Sequence, residues 1–500
     1  MNYEALKAEN EALKVMIDQL NATLLSYEEK LQNALDQIAQ LQRIIYGRKS
    51  ERFVPQNNQL NLFSGTVDEN KSEVTTQQIK GHERKVKKSK HKGRQLLSQC
   101  GHLPVEEEVL DVAHSEESIK IGEVTNEKLA YKPGKLYLKR TIRPKYKEPQ
   151  SEEIKIAELP EGPIDKCEAD VSLLAHITVS KFVDHLPEYR QQQMFKREGV
   201  VIPPSTMNNW THRIAQLIQP VTQQIKQQIL DTGYVQMDES TIKVMVGKKK
   251  KTHIGYMWVM NSPEQDLVYF EYHPGRGRAG PEEMLKDYRG ILQTDGYEVY
   301  ESIEKRMDSM QLYGCWSHAR RYFDKALNSD KKRAEKVLSE IQLLYQIERI
   351  SKEQNNNVSQ RKQRRQDQAK PILERIKANL DEQALVVTPS SLMGKAIGYT
   401  LRRWKKLTAY IEDGRMEIDN NLIENAIRPL ALGRKNYLFA GNHEAAANIA
   451  KFYTIFSTCK KHGINPYDYL VWYLERVNDT NIQHIVNISP VSYKKINEKN

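Results

Sequence analysis

The segment from Gly233 to Leu327 constrains this chain more than any other. Three runs rich in β-branched and aromatic residues, GYVQMDESTIKVMV, HIGYMWVMNS and DLVYFEYHPG, follow one another with short connections. Such runs read as strands. Next come a helical stretch (PEEMLKDY), a fourth strand (GILQTDGY), a fifth (MQLYGC) and the helix SHARRYFDKAL. Short connections imply an antiparallel meander of three strands, and the later helices imply parallel crossovers.

The order β-β-β-α-β-α-β-α predicts a ribonuclease-H-like α/β core. In that order Asp238 lies on the first strand and Asp295 at the end of the fourth, its neighbour. Residues 325–412 are almost wholly helical and charged, which predicts an insertion. The chain then returns with IDNNLIENAIRP, whose Glu424 sits on a helix able to complete an acid set. Hard carboxylate oxygens suit Mg²⁺, which binds through a few carboxylates plus substrate phosphate oxygens. A pair of such ions assists in-line displacement at phosphorus. Taken singly, each acid has a plainer reading as a turn or cap residue, and Glu424 as the partner of Arg428 one helical turn on. A carboxylate beside Val235 and Met237 in an apolar strand, however, is costly unless ligated or paired.

The remaining chain reads as a series of modules. Residues 1–50 carry Leu6, Leu13, Leu20, Tyr27, Ala34 and Leu41 at heptad spacing, with Asn10, Ile17, Leu24, Leu31, Ile38 and Ile45 on the alternate seam. This predicts a dimerising coiled coil, with Asn10 fixing its register. Residues 51–95 read as a basic linker containing Lys87 and Lys88, and 96–160 as a small β-rich module. Residues 161–230 are helical: one helix, a turn around Gly199, and a second helix capped by Ser205. That spacing suits a helix-turn-helix or a plain helical hairpin. The catalytic core is expected over 231–324 and 413–458, with a helical tail over 459–500. The whole is a multidomain α+β chain.

Its 500 residues carry a formal net charge of +11, from 76 basic and 65 acidic side chains. Basic runs at 80–94 and 361–365, together with this excess, point to nucleic acid as partner. Four scattered cysteines show no disulfide spacing, and no apolar run approaches the ~20 residues of a membrane span. A soluble, intracellular protein is expected. Cys315 and His318 share a C-x-x-H spacing without a second pair nearby, which excludes a four-ligand zinc site. Cys315 and Trp316 read as core residues, and His318, Arg320 and Arg321 as candidates to face phosphate. Arg434 and Lys435 follow the Glu424 helix as further candidate phosphate contacts.

The runs IDNNLIENAIRPLALGRKNYLFAGN, GCWSHARRYF, ILQTDGYEVY and KFVDHLPEYRQQQMFKREGVVIPPSTMNNW resemble the transposases of the insertion sequence 66 family. So does a coiled coil ending in IIYGRKSERF. The resemblance implies a DDE transposase in which Asp238, Asp295 and Glu424 are the catalytic, metal-holding acids. Cys315 and His318 match the C-x-x-H element of several DDE groups, with Arg321 beside them. The implied cofactor is Mg²⁺, two ions, with Mn²⁺ as a substitute. The implied partners are element-end and target DNA, a second copy or more of the chain, and accessory proteins of the same element. The implied setting is the bacterial cytoplasm, at the nucleoid when DNA is bound, with no membrane partner. The family's zinc module normally carries paired C-x-x-C motifs. Here Cys100 is followed by Gly101 and His102, and no cysteine lies near 145–150, so no zinc is expected. A nuclease without strand transfer and a decayed, non-catalytic DNA-binding protein are the competing readings.

Overall fold

The structure is a computed structural model that describes residues 162–247 and 251–498, four short strands before them, and the single positions 134, 136, 137 and 139. The expected coiled coil with Asn10, and Lys87 and Lys88, lie outside the described residues. Lys139–Asn500 fall in one compact unit and Asn57–Leu138 in another. In the latter, Thr76–Ile79 and His82–Lys85 form an antiparallel hairpin. In the larger unit, Lys145–Lys147 pairs with Ile154–Ile156.

The centre of the larger unit is a five-stranded mixed sheet. Its strands are β1 (Tyr234–Val246), β2 (Lys251–Ser262), β3 (Leu267–His273), β4 (Gly290–Gln293) and β5 (Met310–Tyr313). They lie in the order β3-β2-β1-β4-β5. The first three are antiparallel, as their short connections require, and β4 and β5 run parallel to β1. The sequence order of strands and helices therefore gives the predicted sheet.

Among the described residues four helices precede the sheet: α1 (Val171–Phe182), α2 (Glu188–Arg197), α3 (Pro204–Leu217) and α4 (Gln219–Leu230). The turn between α2 and α3 contains Gly199 at φ 85°. Helix α3 begins one residue earlier than expected. Pro203 is the N-cap and Pro204 opens the helix, because proline's fixed φ suits the first turn and its missing N–H is no loss there. Ser205 makes no cap.

Short helices α5 (Ala279–Met284) and α6 (Glu298–Glu304) cross between strands, and α7 (Trp316–Ala326) leaves β5. The insertion then adds α8 (Lys331–Glu353), α9 (Val358–Arg364), α10 (Lys370–Ala384), α11 (Leu392–Arg402) and α12 (Trp404–Thr408). A π-helical turn at Arg365–Ala369 joins α9 to α10. The return helix α13 (Asn421–Tyr437) is followed by α14 (His443–Lys461), α15 (Pro466–Leu474) and α16 (Pro490–Asn497).

Two cores hold these elements. One joins Leu174 and Phe182 of α1, Ile225 of α4 and Phe452 of α14 to the sheet at Val235, Met257 and Phe270. The other joins Tyr234, Trp316 and Phe323 to Leu338, Ile341, Ile376, Ile397 and Met416. Each fully buried large side chain contributes about 1.5–3 kcal/mol. The second core thus fixes the insertion to the sheet as part of one body. Edge strand β3 is covered as well. Its Phe270 N–H donates to Thr454 Oγ1 of α14 at 2.9 Å, which satisfies an edge group that would otherwise seek another strand.

Helix α13 ends in a strained turn. Leu438 has φ 65° and ψ −43°, and Phe439 N–H donates to Tyr437 O at 2.8 Å, the geometry of a γ-turn. Ala440 then docks on β1, donating its N–H to Lys243 O at 2.8 Å and accepting from Met245 N–H at 2.9 Å.

Candidate active site

The acids meet where β1 runs on past the end of β4. Gln236 and Gln293 are the last partners of the parallel pair. Asp238 and Asp295 each lie two residues beyond them. Asp238 is inside the long strand β1, not at its end, because β1 continues in its pairing with β2. Asp295 opens the turn after β4, where its Oδ1 accepts Tyr297 N–H at 2.9 Å.

A buried polar cluster brings the return segment to this edge. Gln236 Nε2 donates to Gln293 Oε1 at 2.9 Å and to Asp419 O at 3.0 Å. Gln293 Nε2 donates to Glu417 O at 2.8 Å. Tyr234 Oη donates to Gln293 Oε1 at 2.7 Å and accepts Glu417 N–H at 3.0 Å. Asn420 Nδ2 donates to Met237 O at 3.2 Å. Buried polar groups must find such partners, so residues 417–420 have one favourable place to dock. That docking starts α13 beside Asp238 and sets Glu424 in its first turn.

Electrostatics link the acids directly. Burial raises the Asp238 carboxyl to about 8, assisted by the negative charges of Asp295, Glu239 and Glu424. Glu424 Oε2 accepts from Arg321 Nη2 at 2.7 Å, so its ion-pair partner is on α7 and is not Arg428. Glu424 Oε1 is buried without a hydrogen-bond partner.

Cys315 and Trp316 are fully buried, as the sequence indicated. Trp316 Nε1–H donates to Leu407 O at 2.7 Å, tying α7 to the insertion. The C-x-x-H spacing forms a chain of contacts. Arg321 Nη1 meets His318 Nε2 at 3.1 Å, and His318 Nδ1 meets Cys315 Sγ at 3.2 Å. Arginine has no acceptor, so Nε2 accepts and Nδ1 carries the proton that it donates to sulfur. Burial pushes the Cys315 thiol up to about 12, so it stays neutral. The sulfur also accepts Asn420 N–H at 3.2 Å.

Arg434 and Lys435 lie in the last turn of α13, not after it. Arg434 is committed to β1, where it donates to Ser240 Oγ at 2.9 Å and to the Thr241 carbonyl. Lys435 is exposed.

Sequence reasoning missed several groups here. Glu239, next to Asp238 but on the other face of the strand, accepts from Arg276 Nη2 at 2.6 Å. The Arg276 guanidinium lies 4.2 Å from the ring of Tyr297, just after Asp295. From the insertion, Tyr399 Oη donates to Asp295 O and Arg403 Nη2 to Gly296 O, both at 2.8 Å. The signal for Gln236, Gln293 and Asn420 was present, as amides inside apolar strands and beside an acid. Tyr399 and Arg403 carried none, since nothing local distinguishes them from other helix residues.

Among the described residues no three of His, Cys, Asp and Glu form a ready-made metal cage, and no helix is long and apolar enough to cross a membrane. The donor set nonetheless fits a divalent cation. An unpartnered Glu424 oxygen and an Asp238 carboxyl crowded by like charges are hard oxygens short of positive charge.

The mixed sheet, the acids near its edge and the basic overall charge agree with a transposase, the class that the family models name. The family model described as Transposase IS66 family matches residues 166–448, more than half of the chain, and the chain belongs to that family. A second model, described as Transposase C of IS166 homeodomain, matches residues 35–107. Among similar proteins of Sinorhizobium fredii, one named uncharacterized protein y4jD is 29% identical over 481 residues, covering 92% of this chain and 94% of that protein. Another, uncharacterized protein y4qI, is 28% identical, covering 92% of this chain and 88% of its own length.

Proposed function

We propose that this chain is a DDE transposase that cuts DNA at the ends of its element and joins them to target DNA. Asp238, Asp295 and Glu424 are its catalytic acids, on a ribonuclease-H-like core. The observation that supports this reading is the shared edge: one aspartate inside β1 and one in the turn just past its parallel neighbour β4, with a glutamate delivered beside them by the docked segment 417–420. Bound there, a pair of Mg²⁺ ions, or Mn²⁺ in their place, would supply activation of the attacking oxygen and charge stabilisation of the leaving one. The acids hold that charge and Tyr399 fixes the Asp295 turn. Lys435 and the α2–α3 pair are the DNA-facing candidates, and the heptad segment pairs two copies of the chain.

Purified protein, labelled element ends and Mg²⁺ test the reading. Joined end-to-target product is the expected result. Cleavage without joining would make the protein a nuclease. DNA binding with neither reaction, unchanged by Asp295→Ala, would remove the enzymatic reading and leave a DNA-binding protein.

A further inference from the structure

Glu424 is gripped from one side only. Arg321 Nη2 holds Oε2 at 2.7 Å, while Oε1 is buried without a donor. Arg321 is itself held in a closed ring of contacts. Its other terminal nitrogen donates to His318, His318 donates to Cys315, and Cys315 accepts the N–H of Asn420, at 3.1, 3.2 and 3.2 Å. Asn420 stands at the N-terminus of the helix that bears Glu424, and its carbonyl accepts the Glu424 N–H at 3.3 Å. The ring thus sets one guanidinium on one carboxylate with both ends anchored.

The charge on Arg321 stands where the transposase reading needs a metal. Negative charge from Asp295 and Glu424 acts on Asp238; Arg321 Nη2 holds Glu424 Oε2 at 2.7 Å, while His318 Nε2, which accepts from Arg321, lies 4.0 Å from Oε1. A guanidinium fork suits carboxylate and phosphate oxygens equally. The Arg321 side chain is 30% exposed, so part of its fork faces solvent. His318 holds one terminal nitrogen.

We propose that Arg321 is a stand-in cation. It occupies Glu424 in the metal-free protein, yields that carboxylate when divalent ions bind, and then turns to a phosphate of the DNA. It is a positioning residue whose two anionic partners alternate. This rests on the transposase reading, and it goes further by coupling metal binding to DNA grip.

The test uses the full chain and two binding measurements. Without DNA, Mn²⁺ uptake is followed by the electron paramagnetic resonance signal of the free ion. Arg321→Gln is expected to bind Mn²⁺ about fivefold more tightly than the parent, because a competing partner is gone. With a short DNA duplex, Arg321→Gln is expected to weaken binding in Ca²⁺ but not in chelator. Arg321→Lys, which keeps the charge and loses the fork, is expected to show the same Ca²⁺-dependent loss with Mn²⁺ affinity near the parent's. Circular dichroism melting confirms that both variants fold. Mn²⁺ affinity unchanged or weaker in Arg321→Gln, or an equal loss of DNA binding in Ca²⁺ and chelator, would overturn the proposal. If Asp238→Asn and Glu424→Gln leave Mn²⁺ uptake at the parent level, it is the metal-dependent transposase reading that fails.

Discussion

The hydroxyl of Tyr399 donates to the carbonyl oxygen of Asp295 at 2.8 Å, bridging 104 positions of sequence. Beside it Arg403 holds the Gly296 carbonyl, with its guanidinium 4.6 Å from the Tyr399 ring. The insertion therefore grips the turn that presents a candidate catalytic acid. Tyr399→Phe should cost about 1 kcal/mol of stability in urea unfolding and lower strand joining while duplex binding persists. Gly296→Ala should cost more, because the residue has φ 94° and a Cβ would approach Arg403 Nε to 2.6 Å.

Stability without metal should fall as pH rises through neutrality. Burial, then Asp295, Glu239 and Glu424, raise Asp238 to about 8 when folded. In the unfolded chain an aspartate titrates near ~4. Between those values the folded protein holds a proton that the unfolded chain has released. This contribution is complete below about 4 and is lost as pH climbs to about 8. Melting curves across that range should slope downward for the parent and flatten for Asp238→Asn. Adding Mg²⁺ at the upper end should raise the melting temperature of the parent more than that of the variant.

Arg365 sits fully buried in the π-helical turn of the insertion. It donates to both carboxylate oxygens of Glu348, at 2.7 and 2.8 Å, and to the carbonyls of Tyr410, Asp413 and Met416. Arg365→Met should destabilise by about 3–5 kcal/mol, since it leaves three buried carbonyls without their donor and leaves Glu348 Oε1 unpaired beside the Arg361 that still holds Oε2. The check is the urea midpoint. Glu348→Gln should cost less, because the arginine keeps its carbonyl partners.

Lys435 and Arg434 are adjacent but should behave differently. Lys435→Ala should weaken duplex binding evenly across sequences and reduce the slope of log affinity against log salt by about 1. Arg434→Ala should instead lower stability, because its guanidinium fastens α13 to Ser240 and Thr241 of β1.

The sheet was legible because its pattern is local. Five apolar runs with short or helical links specify the order β3-β2-β1-β4-β5, and that order alone sets Asp238 beside Asp295. Glu424 needed more, since it lies beyond the insertion, and only its acidic context and the family resemblance singled it out. Its plainer alternative, a pair within its own helix, is not what forms. The helical rule proposed Arg428, but Arg321 wins because the buried amides of Gln236 and Gln293 dock the return segment against α7. Ser205 was misread because two prolines preceding it already supply the helix start. Arg276, Tyr399 and Arg403 were invisible for one reason: their contacts join positions far apart in sequence, and no periodicity records them.

The docking of residues 417–420 on Tyr234, Gln236 and Met237 has a consequence for how the protein is made. A ribosome that has translated both aspartates has built a sheet edge without its glutamate, and with the amides of Gln236 and Gln293 lacking their carbonyl partners. The acid set closes only after the whole insertion has been synthesised and folded. A chain terminated within the insertion therefore lacks the third acid of the proposed site, and its sheet edge keeps the two amides without those carbonyls.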